Sequence, residues 1–370
     1  MIGRIYAAAA LAGVAALCAL SSAPAQRFRI VNVYNWSDYI APAVLDAFTR
    51  DTGIRVRYDT FDSNDTLETK LLAGKSGYDV VVPTSYYMER QIKAGVLQKL
   101  DKAKIPNLAN AWPAIASRLS AFDPGNQYAV NYMWGTVGIG YNAGKLREIL
   151  KQPPADAIDG WSAVFVPEKL ARFRDCGVEM LDSSDDILPS ALHYLGLNPN
   201  SSEPAELEQA ANLVAKVRPS VRKFHSSDYL NALAGGEVCL VVGWSGDIKQ
   251  AQKRAREANN GVDIGYTVPR EGTQMFLDTL AIPKDAPNPA EAHEFINYLM
   301  RPDIAAANTN FLSYANGNLA SQKLIDPAIL DDRTIYPDEA IMARLYTITA
   351  HDPRTTRLLN RLWTRIKTGR

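Results

Sequence analysis

The sequence predicts an α/β protein built as two lobes, and three observations predict it. Strand-like and helix-like segments alternate along most of the chain, as they do where strands of a parallel sheet are joined by covering helices. At 370 residues the chain is longer than one compact core usually serves. No low-complexity linker divides it, which fits two lobes joined by several extended crossovers.

The first residues are set apart. Arg4 supplies a positive end, residues 5–20 an apolar run, and Ala23-Pro24-Ala25 the small residues that a signal peptidase reads. This is a secretory signal over residues 1–25, cleaved near Ala25. The run is short for a spanning helix, and Leu17 is a poor neighbour for a lipid-modified Cys18. Once Arg4 is removed the remainder carries one more acid than base. Such a chain has no basic field for nucleic acid or a membrane surface.

Residues 27–34 alternate as a strand. Val44, Leu45 and Phe48 share a helical face, and Gly53 sits where a left-handed cap belongs. Ile54, Val56 and Tyr58 alternate with Arg55 and Arg57 as a half-buried strand. A helix follows over about 65–73, then a buried strand over 79–82. Residues 130–141 read as an interlobe crossover in which Gly135, Gly138 and Gly140 permit hinge dihedrals. Buried strands are expected over 238–242, 264–268 and 280–282, and Pro289 opens a helix that runs to 300.

Few motifs carry covalent chemistry. Gly74-Lys75-Ser76 ends a helix where a phosphate loop should begin one, and Thr69 stands where that loop needs its first glycine. Gly243-Trp244-Ser245-Gly246 lacks the closing glycine of a nucleophile elbow, because Asp247 occupies that place. The four histidines have no metal-ligand spacing. No cofactor, metal or catalytic residue is expected. Cys176 and Cys239 survive cleavage. They are either one disulfide or two buried thiols, and an exported chain favours the disulfide.

Four segments concentrate acids, hydroxyls and aromatic rings near the ends of predicted strands. They are Trp36-Ser37-Asp38-Tyr39, Thr84-Ser85-Tyr86-Tyr87, Trp244-Ser245-Gly246-Asp247 and Phe276-Leu277-Asp278. Taken singly, each has a plain structural reading: Ser37, Asp38 and Thr84 as helix caps, the rings as core, the acids as turns. Taken together, acids beside aromatics suit a dry site for a compact organic cation. Carboxylates offset the cost of burying ammonium groups, while rings attract the charge and cover its methylenes. No arginine occurs in these segments to meet a ligand carboxylate.

Seven longer motifs carry a family resemblance: VYNWSDYIAP (33–42), YDTFDSND (58–65), YDVVVPTS (78–85), YMWGTVGIGYN (132–142), FHSSDY (224–229), VGWSGD (242–247) and SYANGN (313–318). Across nearly the whole mature chain the sequence resembles the periplasmic polyamine-binding proteins, in particular the putrescine receptors of ABC import systems. The resemblance implies the two-lobed, type II periplasmic binding-protein fold with ligand in the interlobe cleft. The expected division is 26–135 plus 258–305 for lobe 1 and 136–257 plus 306–370 for lobe 2.

By motif, Trp36, Ser37, Asp38 and Tyr39 line one wall, with Thr84 and Tyr86 nearby. Asp247 and Asp278 take ammonium ends, Trp244 and Phe276 form aromatic walls, and Tyr314 stacks on the chain. Asp186 matches a family glutamate one methylene longer, which leaves space for a bridging water. Ser226 supports the site, and the family pattern also supports a Cys176–Cys239 disulfide. Tyr86 resembles the spermidine receptors, whereas Asp38 and Phe276 resemble the diamine type. Putrescine is the first expectation and spermidine the second. The partners implied are the membrane subunits of an ABC importer, served by a monomer in the periplasm. A polyamine receptor for a membrane signalling system, or a secreted amine-acting enzyme, are the alternatives.

Overall fold

A computed structural model describes residues 29–369; the expected signal segment and its cleavage site lie outside the described residues. Among the described residues twelve strands join in one mixed sheet. They are β1 (Ile30–Trp36), β2 (Arg55–Phe61), β3 (Val80–Val81), β4 (Leu97–Gln98), β5 (Ala129–Asn142), β6 (Val178–Met180), β7 (Lys223–Phe224), β8 (Leu240–Trp244), β9 (Ile264–Thr267), β10 (Thr273–Pro283), β11 (Ala315–Asn316) and β12 (Leu345–Tyr346). The order is β2-β1-β3-β10-β5-β8-β6-β7, with β9 and β11 also on β5, and β4 and β12 also on β10.

Two parallel triplets, β2-β1-β3 and β8-β6-β7, flank the long antiparallel pair β5 and β10. The strand–helix alternation accounts for the triplets. The antiparallel centre differs from the expected parallel sheet, because β5 is one unbroken strand shared by both halves. Its first part pairs β10 and β11. Its second part pairs β8 and β9.

The glycines of β5 have another use than hinge dihedrals, since none of Gly135, Gly138 and Gly140 has positive φ. A Cβ at Gly135 would stand 2.7 Å from both Phe276 Cζ and Ser245 Oγ. Glycine there permits close packing where the two halves meet.

β10 is longer than the expected 280–282 and is buried throughout. Its register against β5 shifts between Leu277 and Thr279, which places Asp278 in a bulge. A bulge takes a residue out of the ladder and re-aims its side chain. An aspartate can therefore sit inside an otherwise apolar strand.

Two segments pair across the expected lobe boundaries. β9 lies within 258–305 yet pairs residues 139–142 of β5, beside β8. β11 lies within 306–370 yet pairs Trp134 and Met133 at the other end. These pairings bear on where the chain crosses between the halves, not on how often it does.

The helix Pro42–Thr52 buries Val44 and Phe48 and closes at Gly53, whose φ is 71°. Phe48 meets Phe295 and Tyr298 edge-on at 5.0 and 5.2 Å between ring centres. That contact fastens this helix to Pro289–Leu299. Cys176 and Cys239 form a disulfide with Cα atoms 5.6 Å apart, joining the approaches to β6 and β8.

Candidate functional site

Where the two halves face each other lies a cleft with a cavity of about 300 Å³, open on one side to solvent. All of the residues singled out in the sequence line it: Trp36, Ser37, Asp38, Tyr39, Thr84, Tyr86, Asp186, Ser226, Trp244, Asp247, Phe276, Asp278 and Tyr314. Most come from strand ends and the first turns of the helices that follow, where open α/β sheets gather ligands. Thr84 and Tyr86 stand at the start of the helix Ser85–Lys93, Asp186 in the first turn of Ser184–Tyr194, and Asp247 in that of Ser245–Glu257. Phe276 and Asp278 come from β10 itself. Ser313 adopts φ 60° at the end of the helix Pro302–Leu312 and turns the chain into Tyr314.

The capping roles do not account for these side chains. The helix after β1 begins at Ala41 without a side-chain cap. Ser37 Oγ donates to the Phe61 carbonyl at 3.4 Å, and Asp38, at φ 53°, pairs with Arg254 Nη2 at 2.9 Å. Thr84 occupies a cap position but makes no capping bond. It donates instead to Asp278 Oδ1 at 2.7 Å, while the Tyr39 hydroxyl donates to Oδ2 at 2.7 Å. Burial pushes the Asp278 carboxyl up to about 6, against the opposing effect of these two donors.

Asp247 is held the same way. Tyr229 donates to Oδ2 at 2.8 Å and Tyr314 to Oδ1 at 2.6 Å, and burial again raises the group to about 6. Asp186 accepts from Gln274 Nε2 at 3.2 Å, and burial carries it to about 7. Each of these acids is oriented by neutral donors and paired with no cation. Each therefore gains from a positive charge arriving in the cavity.

The walls are aromatic. Trp36 and Trp244 meet edge-on at 5.6 Å, and Tyr39 and Tyr314 at 4.9 Å. Phe276 lies between Trp244 and Tyr314, at 6.5 and 6.2 Å. Eight aspartates line the cavity, with Lys367 and His225 as its basic residues and no arginine. Lys367 is already bound to both oxygens of Asp182, at 2.8 and 2.9 Å. The arrangement suits a cation with two charged ends and an apolar middle.

Residues that the sequence did not single out complete the site. Tyr229, which holds Asp247, lies in the FHSSDY motif. Asp65 and Asp185 line the cavity, the first at the end of the YDTFDSND motif and the second beside Asp186. The packing around Tyr314 was also hidden: a Cβ at Gly246 would overlap its ring. Gly246→Ala is expected to displace Tyr314 from Asp247 and to lower affinity for the cationic ligand about tenfold, some 1.4 kcal/mol. Calorimetric titration checks this, and an unchanged affinity rejects the tight fit.

Residues 43–335 match the model of the bacterial extracellular solute-binding proteins. The chain is 48% identical over 368 residues to the putrescine-binding periplasmic protein SpuD of Pseudomonas aeruginosa, covering all of this chain and 99% of that protein. It is 43% identical to the putrescine-binding periplasmic protein PotF of Escherichia coli, over 92% of each chain. Among solved structures, a putative spermidine/putrescine ABC transporter protein from Listeria monocytogenes superposes with a TM-score of 0.82. It is 30% identical, over 92% of this chain and all of that one. With the two-lobed fold and its interlobe cavity in place, this chain belongs to the family of bacterial extracellular solute-binding proteins.

Proposed function

We propose that the protein captures a polyamine in the periplasm and delivers it to the membrane subunits of an ABC importer. Putrescine is its first ligand and spermidine its second. The observation that carries this reading is the pair Asp247 and Asp278, each held by two hydroxyl donors and facing one aromatic-walled cavity without an arginine. An amino-acid ligand would need a free cation for its carboxylate, and Lys367 is committed to Asp182. The names of the relatives, putrescine-binding and periplasmic, support the same ligand class and compartment.

In this reading Asp247 and Asp278 neutralise ammonium ends, and Asp186 receives one directly or through water. Trp36, Trp244, Phe276 and Tyr314 cover the methylenes, and Ser37, Tyr39, Thr84 and Ser226 orient the acids and the ligand. Asp38 contributes through Arg254 at the mouth of the cleft. The strand pairing supports a first lobe of 29–135 and 274–342, and a second of 136–273 and 353–369. Ligand bound to one lobe favours closure by the contacts that it gains from the other. The protein acts as a monomer after cleavage near Ala25. A signalling receptor would share the site and differ only in partner, so polyamine uptake in a deletion strain separates the two roles.

Titration of the mature protein with putrescine, cadaverine, spermidine and spermine tests the ligand class. One-to-one binding at micromolar affinity or tighter, about −8 kcal/mol, is the expected result. A folded protein that binds none of the four contradicts the proposal. Tyr86→Ser is expected to raise the putrescine-to-spermidine affinity ratio about tenfold. The ring covers chain that only the longer ligand possesses, at about 0.8 kcal/mol per methylene. An unchanged ratio rejects that role for Tyr86.

A further inference from the structure

Behind Asp186 lie two buried polar atoms with no hydrogen-bond partner among the described residues: the amide oxygen Oε1 of Gln274 and the hydroxyl of Tyr346. Gln274 belongs to β10 and is 1% exposed. It stands two residues before Phe276, so alternation along the strand sends its side chain to the same face as that wall of the cavity. Tyr346 belongs to β12, which runs parallel to β10 with Tyr346 opposite Gln274. Side chains at paired positions leave a sheet on one side. The two orphaned atoms therefore face the same space.

The other end of the Gln274 amide is committed, because Nε2 donates to Asp186 Oδ1 at 3.2 Å. Tyr346 feels the same carboxylate. Burial raises the Tyr346 pKa, Ser190 opposes the rise, and the charge of Asp186 adds to it. The Ser190 proton is spent on the Asp186 carbonyl, at 2.7 Å. Tyr346 is held in place by its surroundings. Its ring packs on His193 at 4.8 Å between centres, and Asn200 pins the following residues, donating to the Thr347 carbonyl at 2.9 Å and accepting from Thr349 N at 2.7 Å.

An amide oxygen only accepts, and a phenol has one proton to give. Buried groups of this kind are paired in folded proteins, with protein or with ordered water. A water between these two accepts from Tyr346 and donates to Gln274 Oε1; buried waters join roughly two to four such groups. A donor on Oε1 also decides which way the amide faces. With Oε1 turned to the water, Nε2 turns to Asp186, whereas the reverse orientation sets the amide oxygen against the carboxylate.

We infer that Gln274 and Tyr346, joined by one ordered water between Gln274 Oε1 and the Tyr346 hydroxyl, are positioning residues that aim the Asp186 carboxylate at the ligand. Gln274 does not line the cavity and acts only through Asp186. Being neutral, it orients the acid without consuming its charge; a cation in its place would neutralise Asp186 before the ligand arrived. The inference rests on the reading that Asp186 receives an ammonium. Burial is the largest influence on Asp186. The Ser183 and Trp244 side chains lower its pKa, while Asp185 and Asp278 raise it. Tyr86, Tyr229 and Tyr346 are the phenols on which it acts.

The test follows putrescine affinity from pH 5 to 9 by calorimetry, for the unaltered protein, Gln274→Leu, Gln274→Glu and Tyr346→Phe. In the unaltered protein affinity falls as the pH drops through the Asp186 step at about 7. Gln274→Leu removes a donor to the carboxylate and is expected to move that step upward by about half a unit, a loss of about threefold below it. Gln274→Glu sets a second carboxyl beside the first. Two such groups share one proton, so the step should rise by at least about one unit. Tyr346→Phe frees the amide to turn and should shift the step in the same direction as Gln274→Leu. A loss of affinity that is equal at every pH, with the step unmoved, is what a structural role would give, and it overturns the positioning role. Tyr346→Phe with the affinity and the step of the unaltered protein overturns the relay. A crystal structure of the unaltered protein tests the water without any variant. A water within about 3.2 Å of both Gln274 Oε1 and the Tyr346 hydroxyl is expected, and its absence overturns the relay. Asp186→Asn that binds putrescine as tightly as the unaltered protein shows instead that Asp186 receives no ammonium. An unaltered protein that binds no polyamine shows that the polyamine reading itself fails.

Discussion

Asp278→Asn is expected to lower polyamine affinity about a thousandfold, some 4 kcal/mol. The carboxylate sits in a bulge of β10, fixed by the Thr84 and Tyr39 hydroxyls. An amide of the same shape loses the charge that offsets a buried ammonium. It must also turn its NH₂ toward one of two hydroxyls that now donate. Leaving one partner of a buried charge pair uncompensated costs about 2–5 kcal/mol. The ligand-free variant should melt no lower than the parent, because burial disfavours the charged form in the parent. Calorimetry with putrescine measures the first effect and a thermal melt the second. A loss of affinity under tenfold would remove Asp278 from the binding role.

Lowering the pH from 8 to 5 is expected to weaken binding at least a hundredfold while stabilising the ligand-free protein. Asp247 and Asp278 titrate at about 6 and Asp186 at about 7, each raised by burial. The amines of the ligand, with lysine-like pKa values of about 10, stay charged throughout. A proton on a carboxyl thus competes with the ligand at about tenfold per pH unit once the pH is below the group's pKa, and the two acids near 6 together give the hundredfold at pH 5. In the ligand-free protein the folded pKa values lie above the ordinary carboxylate value of about 4. The folded form then holds more protons than the unfolded form between about pH 4 and 7. The associated stability is complete below about 4 and is lost as pH rises through 6 and 7. Melting temperatures measured from pH 5 to 8, with and without putrescine, should therefore converge at pH 5 and separate at pH 8. A pH-independent separation would show that these carboxyls do not titrate with binding.

Much of this molecule was legible in its sequence, and for local reasons. The alternation in residues 54–58 and the stripe of Val44 and Phe48 with its terminal Gly53 each lie within a few consecutive residues. The motifs around Trp36, Thr84, Trp244 and Tyr314 could be assigned to a cation site because acids and rings stand side by side in the chain. The resemblance to a known family then joined segments that no local pattern connects.

Other features depend on residues far apart in sequence. The antiparallel centre joins β5 to β10, more than a hundred positions later, so strand–helix alternation alone favours a wholly parallel sheet. Asp278 reads as a break before a strand, yet it is a bulge within one, because register against β5 is a property of two strands. Gln274 and Tyr346 are ordinary strand residues until register sets them side by side behind Asp186. The sequence by itself determined the class of fold, the export signal expected at the start, and the residue types that a buried cation requires. Only the tertiary structure decided which acids share a cavity, which hydroxyls orient them and which lack a counter-charge. Hydrogen bonding and desolvation act over a few ångströms of space, and a linear chain does not specify those distances until it has folded.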